Sequence, residues 1–309
     1  MHDITVGRWV TRHGSQERHT KRDGVLFSLP AAALLLILVL IPLATVVGLS
    51  FTDYSLGSPD ASFVGIANYV ALLTNGGMLS AISNTALYVA VVVPGAIGLG
   101  LLIAILVHRR RRTRRLYELA FFLPVTSTMV AMAVVWQYLL HGRIGPINAA
   151  LQAVGLPRID FLTNPDIALY SIAAVGIWQL VGFAMVLFLA GLTSIPAQVY
   201  EAAALDGIDS GFDRFWRITW PLLAPTTLFV VVTTSITAVQ VFDAVVVLTE
   251  GGPMKSTEVI LYRVYLEGFQ YFEAGRAAAL ITLFLVIILA FSLLQFRLAD
   301  RRIHYGGDK

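Results

Sequence analysis

Cysteine is absent from the 309 residues, which excludes a disulfide frame, a thiolate metal site and a Cys nucleophile, and leaves the redox compartment undetermined. Charge is also scarce. Only 13% of the residues are charged and 57% are hydrophobic, whereas a soluble chain carries about 25% charged residues. A soluble globular enzyme is therefore excluded, and the apolar content excludes a disordered chain. The net charge is only +3, and the aromatics lie inside apolar runs rather than among the arginines, which argues against a nucleic-acid partner.

Motifs for chemistry are missing as well. A phosphate loop needs a GxxxxGK[ST] pattern, whose backbone amides and lysine hold the phosphates. The nearest stretch is Gly251-Gly252-Pro253-Met254-Lys255-Ser256, with methionine at the required second glycine. The histidines (His2, His13, His19, His108, His141, His304) form no HExxH pair, so neither a zinc hydrolase nor another metal site is expected. No GxSxG nucleophile elbow is present. The chain is not expected to be an enzyme, and no catalytic residue is assigned.

What the sequence does have is long uncharged stretches. A bilayer core takes about 20 apolar residues per helix, and six runs meet that need: Val25 to Ser50, Asn84 to Val107, Leu116 to Leu140, Ile167 to Leu192, Trp220 to Leu248 and Ala274 to Phe296. Only Glu118, Asp243 and Arg276 are charged within them. The first run is too long for the core of a signal peptide and reads as a retained helix, kinked at Pro30 and Pro42. The expected fold class is therefore all-α: a polytopic membrane protein with six transmembrane helices. It divides into a tail over 1–24, a membrane domain over 25–296 and a tail over 297–309.

Cytoplasmic loops retain Lys and Arg. These residues gather in the first tail (Arg8, Arg12, Arg18, Lys21, Arg22), after the second run (Arg109 to Arg112, Arg114, Arg115), between the fourth and fifth runs (Arg214, Arg217) and in the last tail (Arg297, Arg301, Arg302, Lys309). The alternate loops hold Arg143, Arg158, Lys255 and Arg263. Both termini are expected to be cytoplasmic, in a multi-pass protein of the cell (inner) membrane.

The loop over about 193–219 is the most informative segment. Ile195-Pro196-Ala197-Gln198-Val199-Tyr200-Glu201-Ala202-Ala203-Ala204-Leu205-Asp206-Gly207 reads as a short helix, with Ser194 as its cap, Pro196 in its first turn and Gly207 as its stop. Its alanines give a thin profile, and Glu201 and Asp206 offer acceptors to a partner's arginine or amides. Phe212 to Pro225 then leads back into the bilayer, with aromatics and arginines suited to the interface. Residue physics alone leaves an ordinary amphipathic loop equally open.

The run from Glu201 to Pro225 resembles the EAA loop of ABC importer permeases: EAAxxDG, then F, I and PxLxP. Further matches to carbohydrate permeases of the maltose and glycerol-3-phosphate type are Phe63-Val64-Gly65-Ile66-Ala67-Asn68-Tyr69, Asn84-Thr85, Leu123-Pro124, Trp136, Gly145, Asn148, Trp178 and Gly182-Phe183. Phe242-Asp243 with Leu248 to Pro253 resembles the FD…LTGGGP signature of the first of the two permease subunits. Two departures stand out: Ile208 replaces the usual Ala, and the gap from Gly207 to Phe215 is one residue longer.

The resemblance implies an ABC importer permease fold and half of a translocation pore. A second permease subunit would complete the pore, a dimer of ATP-binding subunits would bind ATP and Mg, and an external binding protein would deliver a carbohydrate. It makes Tyr200, Glu201, Ala202, Ala203, Asp206 and Gly207 the part that couples to the ATPase; this chain itself would hold no cofactor.

For the substrate path, polar groups within the bilayer are candidates: Thr237 and Gln240 with Thr233 on one face of helix five, and Trp178, Gln179 and Phe183 on helix four. Thr233 reads as bonded to its own helix. Gln179 and Gln240 stand equally for substrate contact and helix packing. Asp243 and the Gly251-Gly252-Pro253 turn, expected to end helix five, are placed at a gate or in packing. Glu273 and Arg276 are expected to form an interfacial ion pair. The alternative is a self-sufficient secondary transporter, for which inverted repeats or several buried ionisable groups would be expected.

Overall fold

The computed structural model describes residues 27–300 apart from 75, 111, 209 and 210. The tail expected over 1–24, residues 301–309 of the one expected from 297, and Asp209 lie outside the described residues. The elements are α1 (Phe27–Leu49), α2 (Ala67–Thr74), α3 (Gly76–His108), α4 (Arg114–Thr126), α5 (Met129–Leu139), α6 (Pro146–Ala153) and α7 (Ala168–Ser194). There follow α8 (Ala197–Leu205), α9 (Gly211–Leu222), α10 (Ala224–Val239), α11 (Asp243–Leu248), α12 (Ile260–Tyr265) and α13 (Ala274–Asp300). Among the described residues the only β pairing is a single antiparallel bridge between Thr52 and Phe63. The fold is all-α.

Among the described residues four helices are long and apolar enough to cross a membrane: α1, α3, α7 and the Ala274–Gln295 part of α13. Two bent pairs raise the number to six if each counts as one span: α4 with α5, bent by 100°, and α9 with α10, bent by 69°. Leu116 to Leu140, expected as one helix, is therefore broken. Ser127 and Thr128 are extended, and the hydroxyls of Thr126 and Ser127 donate to the Leu123 carbonyl at 2.9 and 3.2 Å, covering an acceptor freed by the break.

Trp220 to Leu248 is likewise not one helix. α10 stops at Val239, and α11 begins at Asp243. Asp243 therefore opens a separate short helix rather than continuing the one that carries Thr233 and Thr237, at the end where an acidic residue suits the helix dipole. In α1 the region of Pro42 carries a π turn over Leu36–Leu40, a geometry that accommodates the hydrogen bond the proline cannot donate.

The centre of the packing is α3 against α7. Lipid is as apolar as leucine, so helices associate by close contact rather than by the hydrophobic effect, and small residues permit it. A Cβ on Gly100 would stand 2.6 Å from the Ala184 Cβ and 3.1 Å from the Met185 nitrogen. Gly176 faces the Tyr88 hydroxyl, Gly95 takes the Ile177 side chain, and Gly182 lies on the Phe121 carbonyl of α4. Around this seam Val92, Ala96, Ala104, Ala184, Met185 and Phe188 are buried. By contrast, every residue of Leu34 to Ile41 in α1 is at least 44% exposed, so the described part of this chain leaves that apolar face uncovered. The Ile41–Leu49 end of α1 packs on α13.

Candidate functional site

α8 is helical because alanines dominate it and a proline starts it. Pro196, extended at φ −62° and ψ 141°, is the residue before its first turn. Ser194 does not cap it: the Ser194 hydroxyl donates back to Gly191 at 2.8 Å and belongs to the end of α7. The far end is a Schellman turn. Ile208 N–H reaches the Ala203 carbonyl at 2.9 Å, Gly207 N–H reaches Ala204 at 3.1 Å, and Gly207 is left-handed at φ +80°.

Ala203 is buried, whereas Glu201, Ala202, Ala204, Leu205, Asp206 and Gly207 are exposed. Leu205 is 90% exposed, so an apolar knob stands between two carboxylates. Tyr200 is half-buried, and its hydroxyl meets the Thr219 hydroxyl of α9 at 3.3 Å. This contact ties the short helix to the next element. The residues from Tyr200 to Gly207 thus stand together on one projecting element, with Ala203 and Tyr200 facing its support.

The residues considered for a substrate path divide differently. Trp178, Gln179 and Phe183 are half-buried on α7, with Trp178 edge-on to Trp136 at 5.3 Å and 74°. Thr237 and Gln240 are exposed at the end of α10, which packs against α7. Thr237 Oγ1 donates to the Thr233 carbonyl at 3.0 Å, and Thr233 Oγ1 to Phe229 at 2.7 Å; both donors are spent on their own helix, leaving the oxygen lone pairs. Gln240 closes α10 as its last cap residue.

The Gly251-Gly252-Pro253 turn follows α11 rather than a continuous fifth helix. Gly251 is left-handed at φ +77° with the Tyr262 ring against it, and Thr257 Oγ1 donates to the Gly252 carbonyl at 2.6 Å. α3 holds the following loop from below. Asn84 Nδ2 donates to the Lys255 and Glu258 carbonyls at 3.1 and 2.9 Å, and Thr85 Oγ1 accepts from Ile260 N–H at 3.0 Å. Helix α3 begins at Gly76, so Asn84 and Thr85 are clamps inside it rather than its start.

Sequence reasoning missed a buried ionic group here. Arg263 donates to Glu258 at 3.1 Å and to Glu267 at 2.7 Å, with all three residues at most 8% exposed. Burial works against the guanidinium's charge, but Glu267 and Glu258 outweigh it and raise the Arg263 pKa. Removing one partner of such a buried pair costs roughly 3–5 kcal/mol. The i to i+4 spacing of Arg263 and Glu267 was the available signal. The expected Glu273–Arg276 pair forms at 2.5 Å, partly exposed.

Beside the turn lies a cleft of about 800 Å³, with Gln137, His141, Arg143, Arg158, Asp160 and Glu250 on its walls. Asn148, 2% exposed, ties the lining residue Gly142 to Ile159, donating to the Ile159 and Gly142 carbonyls at 2.8 and 3.2 Å and accepting from Ile159 N–H at 2.9 Å. Among the described residues no group of His, Asp or Glu could hold a metal ion.

Known proteins are similar to this chain in sequence and in fold. The sn-glycerol-3-phosphate transport system permease protein UgpA of Agrobacterium fabrum is 32% identical over 247 residues, covering 80% of this chain and 84% of its own. The probable ABC transporter permease protein YesP of Bacillus subtilis is 33% identical over 304 residues, covering 95% and 96%. A chain from the crystal structure of a bacterial ABC transporter involved in the import of the acidic polysaccharide alginate matches with a TM-score of 0.80 at 24% identity, over 93% of this chain and 99% of that one. The family described as "Binding-protein-dependent transport system inner membrane component" matches residues 96–304. With a projecting helix after α7 and relatives aligned over most of its length, the chain belongs to the family of binding-protein-dependent transport inner membrane components, as an ABC importer permease.

Proposed function

We propose that this chain forms half of the pore of an importer for a sugar or sugar derivative and is moved by a separate ATPase through α8. The observation that carries this reading is α8 itself: a thin, alanine-rich helix, closed by a left-handed glycine, that projects Glu201, Leu205 and Asp206. Two ATP-binding subunits, holding ATP and Mg, close on nucleotide and draw α8 and its counterpart in a second permease subunit together. The pore then changes its open side, a shift between two states whose free energy comes from nucleotide. An external binding protein delivers the carbohydrate. Relatives named for sn-glycerol-3-phosphate support a sugar derivative as cargo, and the fold likeness extends to an alginate transporter in complex with its loaded periplasmic protein.

In this reading each bent pair is one span, giving six. The arginine placement turns both termini and α8 to the cytoplasm, and the Gly251-Gly252-Pro253 turn with its cleft faces outward. Trp178, Gln179, Phe183, Thr237 and Gln240 border the sugar's path; Asp243 and the turn belong to the gate.

Purification of the chain with a second permease, the ATPase subunits and the binding protein tests this. ATP hydrolysis should rise when the binding protein is loaded with its sugar, and Gln179→Ala or Gln240→Ala should weaken the apparent affinity for transport. Uptake by this chain alone, driven by a proton or sodium gradient, would contradict the reading and point to a secondary transporter.

A further inference from the structure

α9 connects α8 to the span α10, and its rings are arranged in a way that the movement of α8 does not require. Phe212, Trp216 and Trp220 follow one another at four-residue intervals, with ring centroids 6.3 and 5.9 Å apart. Phe215 fills in beside both tryptophans at 5.3 and 6.0 Å. The result is a ladder of aromatic rings along one helix. Its outer end is open: Phe212 is 74% and Trp216 51% exposed. Next to it Asp213 and Arg217 stand exposed, 3.9 Å apart.

Three observations identify what covers the rings. The ladder is continuous with the apolar span, since Trp220 precedes Pro221 and the chain enters α10 after Leu223. α9 is bent by 69° from α10, so it runs nearer to the plane of the membrane than along the span. Trp216 and Trp220, each an apolar ring with one polar N–H, beside Arg217, are the chemistry enriched where bilayer meets water. The exposed face of α8, with Leu205 between Glu201 and Asp206, is a different surface on a different helix.

We propose that Phe212, Trp216 and Trp220 lie in the interface of the lipid bilayer and hold α9 there, so that α9 sets the depth at which α8 stands. The link is the bond between the Tyr200 and Thr219 hydroxyls, with Thr219 only 7% exposed. The anchoring is a property of the ladder and the bilayer; only its consequence for α8 rests on the reading of α8 as the coupling element.

The chain has no cysteine, so a single introduced one is a unique label. Phe212→Cys and Trp216→Cys, each carrying a nitroxide, are placed in the permease pair in nanodiscs of phosphatidylethanolamine and phosphatidylglycerol. Collision with oxygen, which partitions into lipid, is compared with collision with a water-soluble nickel chelate, with and without the ATPase subunits. Leu205→Cys is the comparison site. The expected result is oxygen above nickel at 212 and 216 in both states, and nickel above oxygen at 205 until the ATPase binds. Nickel access at 212 and 216 that persists, or that is lost only when the ATPase is added, overturns the anchoring; in the second case the ladder is a protein-docking surface. If 205 is unaffected by the ATPase while 212 and 216 remain in lipid, the coupling reading fails and the anchoring stands.

Discussion

Gly207 does two things that can be separated. Its φ of +80° is a conformation that side chains resist, at about 1–2 kcal/mol for an ordinary L-residue, and it closes the Schellman turn that ends α8. A close approach by a neighbour is the other reason to have glycine, and among the described residues nothing lies within 4 Å of a Cβ added there. Gly207→Leu should therefore fray α8 and reduce uptake, whereas Gly207→Asn, which tolerates the left-handed region, should keep the turn. Uptake and complex assembly are the measurements. Intact uptake with leucine would remove the glycine's importance altogether; lost uptake with asparagine, in an assembled complex, would assign the requirement to a partner's close approach. Ile208 fits the same turn, because its backbone N–H and not its side chain makes the bond to Ala203.

Among the elements, the seam of α3 and α7 depends on glycines at defined places. Gly100→Ala would put a methyl group 2.6 Å from the Ala184 Cβ, an overpacking that costs roughly 1–3 kcal/mol. Gly98→Ala, two residues earlier on the same helix, meets nothing within 4 Å and gains helix propensity. Thermal unfolding of the purified complex should show a lower Tm for the first and an unchanged or slightly higher one for the second. Equal effects would mean that the seam is not closely packed. Neither glycine is marked as different by its sequence context, since both lie in the same apolar run. The same blindness hides the breaks in α4–α5 and after α10. Thr126, Ser127, Thr128 and Gln240 are polar but uncharged, so the hydropathy that locates a span passes across them, and only the hydrogen bonds of the broken ends reveal where the chain turns.

For the whole molecule, the parts readable from sequence are those set by local pattern. The uninterrupted apolar runs locate α1, α3, α7 and α13, and the Glu201 to Gly207 pattern locates α8, because both signals lie within a few helical turns. The support of the Gly251-Gly252-Pro253 turn is not local. Asn84 reaches carbonyls 171 and 174 residues away, and the Glu258–Arg263–Glu267 group is recognisable as buried only once α12 is packed against α13. In the proposed reading the energy comes from a separate ATPase subunit, and α8, with Glu201, Leu205 and Asp206 exposed, is the element that would meet it.

The direct test is to follow α8 itself in the assembled transporter. Leu205→Cys, 90% exposed in this chain, can be cross-linked to a cysteine placed in the cleft of the ATPase subunit. The account predicts a cross-link that forms in the full complex, changes in yield between the nucleotide-free and ATP-bound states, and stops sugar uptake while it is in place. A Leu205→Cys thiol that reacts with a water-soluble maleimide at the same rate with and without the ATPase subunits, and forms no cross-link in either state, would contradict it.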